Sequence, residues 1–385
     1  MNARDTVRLY TYGSMAAWPE LATLRPALAR RPLRHNRREA VTAGLVLLVA
    51  AMVAGCGPGG RAEAMSAAGG PLTVHIAYFP NVTHAAALVG TGRGTFAKAL
   101  GPGVKIDEQV YNAGPSEIEA LFAGQVDIGY IGPGPAINGY IRSHGQALKI
   151  IAGASSGGAA LVVRGDSGIR DVRGLAGKRV AVPQTGGTQD ISLRHALQTA
   201  GLTSTDMGGS VKVLPNTPAD TLTLFVKREL DAAWVPEPWV SRLVKEANGR
   251  VVLDERDLWP GKRFATTVII VRPKFMDQHP DLVLKFLDAH IDSVDWINGH
   301  RAEAAALIGA RLKTLTGKAL PPDVLKSSLA RTDITYDPLR ASVLTFTAWS
   351  RLIGYTHQTP SAFERLVDTE ALNALLERRH RPGVR

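Results

Sequence analysis

Four short loops carry the residues best suited to holding a small anion. Asn81, Thr83 and His84 follow a strand-like run, Ser116 comes directly after Gly114-Pro115, Gly132 heads a Gly-Pro-Gly-Pro stretch, and Gln184, Thr185, Gly187 and Thr188 lie in a polar glycine loop. The loops stand where helices are expected to begin. The first turn of a helix presents N–H groups without intrahelical partners and the positive end of the dipole, so such loops bind anions without a cationic side chain. Hydroxyl, amide and imidazole groups add donors, although Gly, Ser and Thr also serve simply as turn and cap residues. Further along, Trp234 and Trp239 flank Pro236-Glu237-Pro238, placing aromatic surface and a carboxylate at a strand end. That pair suits a solute with an apolar body or an ammonium group. Glu237 could equally pair with an arginine such as Arg164, and Trp234 could be core.

Other chemistries find no residues to carry them. His75 and His84 lack a ligand spacing, His279, His290, His300 and His357 are scattered, and neither HExxH nor CxxC occurs, so no metal or other cofactor is expected. Gly90-Thr91-Gly92-Arg93-Gly94 follows a helix rather than a strand, no Gly-Lys-Ser/Thr follows Pro183, and Gly-x-Ser-x-Gly is missing. Nucleotide-binding and serine-hydrolase readings fall with them.

The elements around the loops alternate between β-branched runs and helical segments, the pattern of an α/β protein with parallel sheets. Strands are expected at 72–78, 104–110, 124–131, 149–154 and 159–163, then at 178–182, 211–214, 232–235, 251–253 and 267–271. Ser116 and Glu119 have capping-box spacing, and Asn81 or Thr83 could cap a helix over 85–89. Beyond Pro273 the chain reads as helices over 280–298, 301–312, 323–331, 338–353 and 360–379. Residues 71–165 form the first part of one lobe, 166–265 a second lobe, and 266–385 a return strand and C-terminal helices. Crossings near 163–166 and 265–268 would make a hinged cleft, and polar strand ends would gather at its edge.

The N-terminal stretch reads as an address. The chain has 385 residues and a formal charge of +11, of which 1–55 contribute +5 from eight Arg against Asp5, Glu20 and Glu39. The rest is only mildly basic, which removes the main argument for nucleic acid. Arg30, Arg31, Arg34, Arg37 and Arg38 precede the uncharged run 41–54, shorter than the ~20 residues that span a bilayer and suited to a signal-peptide core. The run ends in Val53-Ala54-Gly55-Cys56, which resembles a bacterial lipobox. The resemblance implies cleavage before Cys56, lipidation of its sulfur and anchoring at the membrane through a flexible linker, 56–70. It also accounts for a lone cysteine.

Gly114-Pro115-Ser116, the run 127–132, the run 174–183 and Ala232-Ala233-Trp234-Val235-Pro236-Glu237-Pro238-Trp239 resemble, in order over 72–271, the nitrate/sulfonate/taurine family of periplasmic solute-binding proteins of ABC transporters. The resemblance implies a two-lobed type II periplasmic binding protein fold that closes on a small anionic solute. It also implies a monomer without enzymatic activity that delivers the solute to an ABC permease and its ATPase. Members take alkanesulfonates, taurine, nitrate, bicarbonate or pyrimidine-type vitamin precursors. Thiamine-pyrimidine synthases share the fold, but they are associated with a cysteine-rich motif and this chain has no cysteine after Cys56.

Overall fold

Alternating apolar and polar residues at the start of the globular part produce a strand, β1 (Leu72–Tyr78), whose Val74, Ile76 and Tyr78 are buried on one face. The computed structural model describes residues 71–384, part of the compact unit Ala67–Arg385. The signal-like segment, Cys56 and the linker lie outside the described residues.

After β1, a 3-10 turn over Val82–His84 leads into α1 (Ala85–Gly92) and α2 (Thr95–Leu100). Next come β2 (Val104–Val110), α3 (Gly114–Phe122), β3 (Ile128–Ile131), α4 (Pro133–Arg142) and β4 (Lys149–Gly157). The second lobe holds β5 (Ala159–Arg164), β6 (Arg179–Val182), α5 (Thr188–Thr199), β7 (Lys212–Pro215), α6 (Pro218–Val226), β8 (Ala232–Pro236), α7 (Trp239–Glu246) and β9 (Gly249–Asp254). The chain then returns through β10 (Ala265–Val271) to α8 (Pro273–Gln278), α9 (Pro280–Gly299), α10 (Arg301–Thr316), α11 (Pro322–Arg331), β11 (Thr332–Ile334), α12 (Arg340–Leu352) and α13 (Glu370–Arg378).

Two sheets result, β11-β4-β10-β3-β1-β2 and β7-β6-β8-β5-β9. They are mixed rather than parallel. β1 runs parallel to β2 and β3, and β6 parallel to β7 and β8, but β10 is antiparallel to β3 and β4, and β5 to β8 and β9. Strands β4, β5, β9 and β10, which adjoin the crossings between lobes, all make antiparallel pairs, as does β11 with β4. The first crossing is Gly157-Gly158, between β4 of one sheet and β5 of the other, earlier than the expected 163–166. Both glycines have φ near +72°, and a Cβ on Gly158 would stand 2.5 Å from Thr332 Oγ1. β5 therefore belongs to the second lobe, and the second crossing runs through 255–264.

Other differences have local causes. Helix α3 begins at Gly114 with Ala113 as its cap, so Ser116 lies within the first turn and makes no capping box. Neither Asn81 nor Thr83 accepts a capping hydrogen bond through its side chain. The expected helix over 360–379 is broken, because Ile150 of β4 accepts from Asp368 N and donates to Leu366 O, both at 2.8 Å, holding that segment extended against the sheet. Helices α9, α10 and α13 pack on one face of the first sheet and α4 and α12 on the other.

Candidate functional site

A cavity between the lobes collects the ends of these elements. The first lobe contributes Phe79, Asn81, Thr83 and His84 after β1, Asn112 to Gly114 after β2, Gly132 after β3, and Thr266 and Thr267 of β10. The second contributes Pro183 and Gln184 after β6, Gly187 to Gln189 at the start of α5, Pro218 at the start of α6, and Pro236 at the end of β8. Its empty space is about 460 Å³. The lining holds no Lys, Arg, Asp or Glu.

Donors to an anion must then be neutral, and the local structure supplies them. Gly114 of α3 and Thr188 and Gln189 of α5 occupy first turns, where N–H groups lack an intrahelical acceptor. Helix α4 differs: Pro133 and Pro135 have no N–H, and Gly134 N donates to Thr188 Oγ1 across the lobes at 3.1 Å. What α4 provides is close approach. A Cβ on Gly132 would meet Thr188 Oγ1 at 2.2 Å, and one on Gly134 would meet the Thr188 backbone at 2.8 Å.

Side chains complete the lining. His84 is buried, and desolvation lowers its pKa to about 3, so it is neutral. Its Nδ1 accepts from Phe79 N at 3.2 Å, which puts the proton on Nε2. Asn81 Oδ1 accepts from Trp239 Nε1 at 3.1 Å. Because an indole N–H can only donate, the Asn81 amide is oriented with Nδ2 left as a free donor. Thr267 is 1% exposed, and its Oγ1 has no hydrogen-bond partner, an expense of about 1–3 kcal/mol that a bound acceptor would remove.

A sequence model of the NMT1-like family matches residues 67–312, well over half of the chain. The chain belongs to the NMT1-like family. Similar proteins include a Brucella abortus protein named as a binding protein, 29% identical over 212 residues, 55% of this chain. This chain spans 63% of the length of that relative. A Bacillus subtilis protein named for aliphatic sulfonate binding is 30% identical over 258 residues, 66% of this chain and 73% of the relative. These relatives are named as binding proteins and not as enzymes. Among solved structures, the alkanesulfonate-binding protein of Xanthomonas axonopodis pv. citri bound to MOPS superposes with a TM-score of 0.64 at 21% identity, covering 78% of this chain and 100% of that one. The fold is thus that of periplasmic binding proteins, two α/β lobes with a helical C-terminal region.

In this NMT1-like chain the structure brings together Asn81, Thr83, His84, Gly132, Gln184, Gly187 and Thr188. Ser116 and Thr185 stand outside the lining. Ser116 Oγ lies 3.4 Å from Gln184 Oε1 across the lobes, and Thr185 borders a separate hollow beside Tyr355. Trp234 and Glu237 require correction, for both are fully buried away from the cavity. β8 is a central strand covered on both faces, so Trp234 packs in the second lobe's core and donates to Glu255 Oε2 at 2.7 Å. Glu237 accepts from Ser241 N and Oγ at 3.0 and 2.9 Å and from Ser328 Oγ at 3.0 Å, with Arg331 at 3.5 Å. Its arginine is thus Arg331. Arg164 instead faces Asp166 and Asp231. Thr267, Asn112 and Gln189 were missed. The signal for Thr267 was present, since Thr266-Thr267 is the polar interruption in an otherwise apolar return strand.

Proposed function

We propose that this protein is the extracytoplasmic solute-binding component of an ABC importer and that its cavity takes the oxyanion of a sulfonate. One observation carries the reading: the free first turns of α3 and α5, from opposite lobes, meet at a cavity lined by neutral donors and no charged side chain. Each helix end carries about half a positive charge, so two together balance about one negative charge. A sulfonate is a monoanion at any physiological pH and offers three acceptor oxygens to donors on both sides. Binding would hold the lobes closed, the form that a permease and its ATPase would receive. The binding proteins named among its relatives support the same class of ligand.

In this reading Cys56 is the lipidated residue that tethers a monomer to the membrane. Replacing it by Ala should move the protein from the membrane fraction to the soluble fraction. The solute is tested by thermal shift with methanesulfonate, longer alkanesulfonates, taurine, nitrate, bicarbonate and hydroxymethylpyrimidine. A ligand at a hundred times its dissociation constant adds about 2.7 kcal/mol of stability. Stabilisation by sulfonates is expected; silence from every anion with a shift from the pyrimidine would overturn the proposal.

A further inference from the structure

Helix α5, whose first turn reaches the cavity, is held along one side by the other lobe. The end of α12 and the loop after it, packed on the first sheet, make three contacts with it. Tyr355 Oη donates to Asp190, the His195 ring stacks on Trp349 at 4.0 Å between centroids and 16° between planes, and Gln198 Nε2 donates to Leu352 O at 3.1 Å. The helical repeat puts 190, 195 and 198 on one side of α5. Trp349 also meets the second crossing, where the Trp259 ring lies 4.3 Å from it. One indole therefore touches both the helix that carries Thr188 and Gln189 to the cavity and the segment that joins the lobes.

Two nitrogens at this junction, His195 Nδ1 and Trp259 Nε1, are buried and make no hydrogen bond. In neutral His195 the orphan is a lone pair, with the proton on Nε2. A second proton must sit on Nδ1 as a charged N–H with no acceptor, and burial already holds this pKa below the ordinary 6.5. No neighbouring acid offsets it. Asp190 is taken by Gly186 N, Arg194 and Tyr355, Glu255 by Ser192 and Trp234, Asp254 by Arg256, and Asp257 by Lys262. Of the other elements packed on α5, β8 carries no charge, and α4, α12 and the turn 172–175 carry only Arg142, Arg340, Arg351 and Arg173. The indole face attracts a cation, but less than an unsatisfied charged N–H costs. We propose that His195 and Trp349 are positioning residues for the solute: their stack sets how far α5 reaches into the cavity, and acid, by charging the imidazole, separates the pair and weakens binding.

This inference rests on the cavity being the solute site, and calorimetry with methanesulfonate at pH 8 and pH 5 separates the two. Affinity of the purified protein should fall between about threefold and 30-fold at the lower pH, the upper figure being the ceiling for a ring that titrates at 6.5 once the lobes part. His195→Ala should weaken binding at pH 8. His195→Phe keeps a ring against Trp349, so it should recover most of that loss and show no fall at pH 5. By reciprocity, methanesulfonate should lower the titration midpoint of the His195 ring followed by NMR. Equal affinity at both pH values, or a fall that persists in His195→Phe, overturns the inference and leaves the cavity reading standing. Failure of methanesulfonate to bind at either pH overturns the cavity reading and this inference with it. Should a variant fail to fold, the ring titration of the unaltered protein decides: a midpoint lowered by methanesulfonate upholds the inference, and an unmoved one overturns it.

Discussion

Gly132→Ala isolates lobe closure from everything else in the molecule. Gly132 has φ −70° and ψ 151°, a conformation open to any residue, so alanine introduces no backbone strain. The added Cβ conflicts with the opposite lobe alone, at 2.2 Å from Thr188 Oγ1. Restoring ordinary contact at about 3.4 Å requires α5 to retreat by about 1.2 Å. That movement carries Thr188 Oγ1 out of reach of Gly134 N, now 3.1 Å away, and withdraws the α5 donors from the cavity. Overpacking costs about 1–3 kcal/mol and a lost hydrogen bond about 1 kcal/mol, so solute affinity should fall by roughly 30- to 900-fold. The melting temperature of the ligand-free protein should change little, since the open lobes accommodate alanine. Calorimetry on Gly132→Ala, Thr188→Ala and the double variant supplies the check. Removing Oγ1 leaves the Thr188 Cβ at 3.3 Å, so the double variant should bind no worse than Thr188→Ala alone. Additive losses, or unchanged affinity in Gly132→Ala, would refute the argument.

Other expectations concern buried groups. Glu255, wholly buried beside Trp234 and Ser192, has a pKa raised by desolvation to about 7. Between pH 4.5 and about 7 the folded state holds a proton that the unfolded state has lost, so stability falls as pH rises through this window, by about 3 kcal/mol in all. Glu255→Gln should abolish that fall in denaturation curves at pH 4.5 and 7.5; an undiminished fall assigns it elsewhere. Because burial keeps His84 neutral down to about pH 3, solute affinity should not strengthen between pH 8 and 5, and a rise near pH 6.5 would mean an imidazolium in the site. Glu237→Gln should lower the melting temperature with no loss of solute affinity, whereas a loss specific to taurine would restore this carboxylate to the site. Trp239→Phe keeps the ring but frees Asn81, and should weaken methanesulfonate by about five- to tenfold, one hydrogen bond's worth; an unchanged dissociation constant would show that Asn81 needs no orientation.

The loops that line the cavity were legible because what they offer belongs to the backbone. A helix start can be read from Gly114-Pro115 or from the polar loop before 188–199, and any helix start brings free N–H groups wherever the fold aims it. Side-chain roles were not legible in the same way. Trp234 and Trp239 are both tryptophans near Pro-Glu-Pro, yet one faces the core of a doubly covered strand and the other opens the next helix beside Asn81. Period-two alternation separates inside from outside only when one face of a strand meets water, and all of β8 is buried. Glu237 misled for a related reason: a carboxylate at a strand end signals a ligand only if that end opens on the cleft, and here Ser328 and Arg331, more than ninety residues later in sequence, close over it. Gly132 shows the reverse case, for its residue type announced a turn while its use is the space it leaves for Thr188. The recognition logic divides accordingly. In the proposed reading the selection of charge would fall to backbone dipoles, which any helix start supplies, and the selection of shape to side chains such as Trp239, which only the fold brings together.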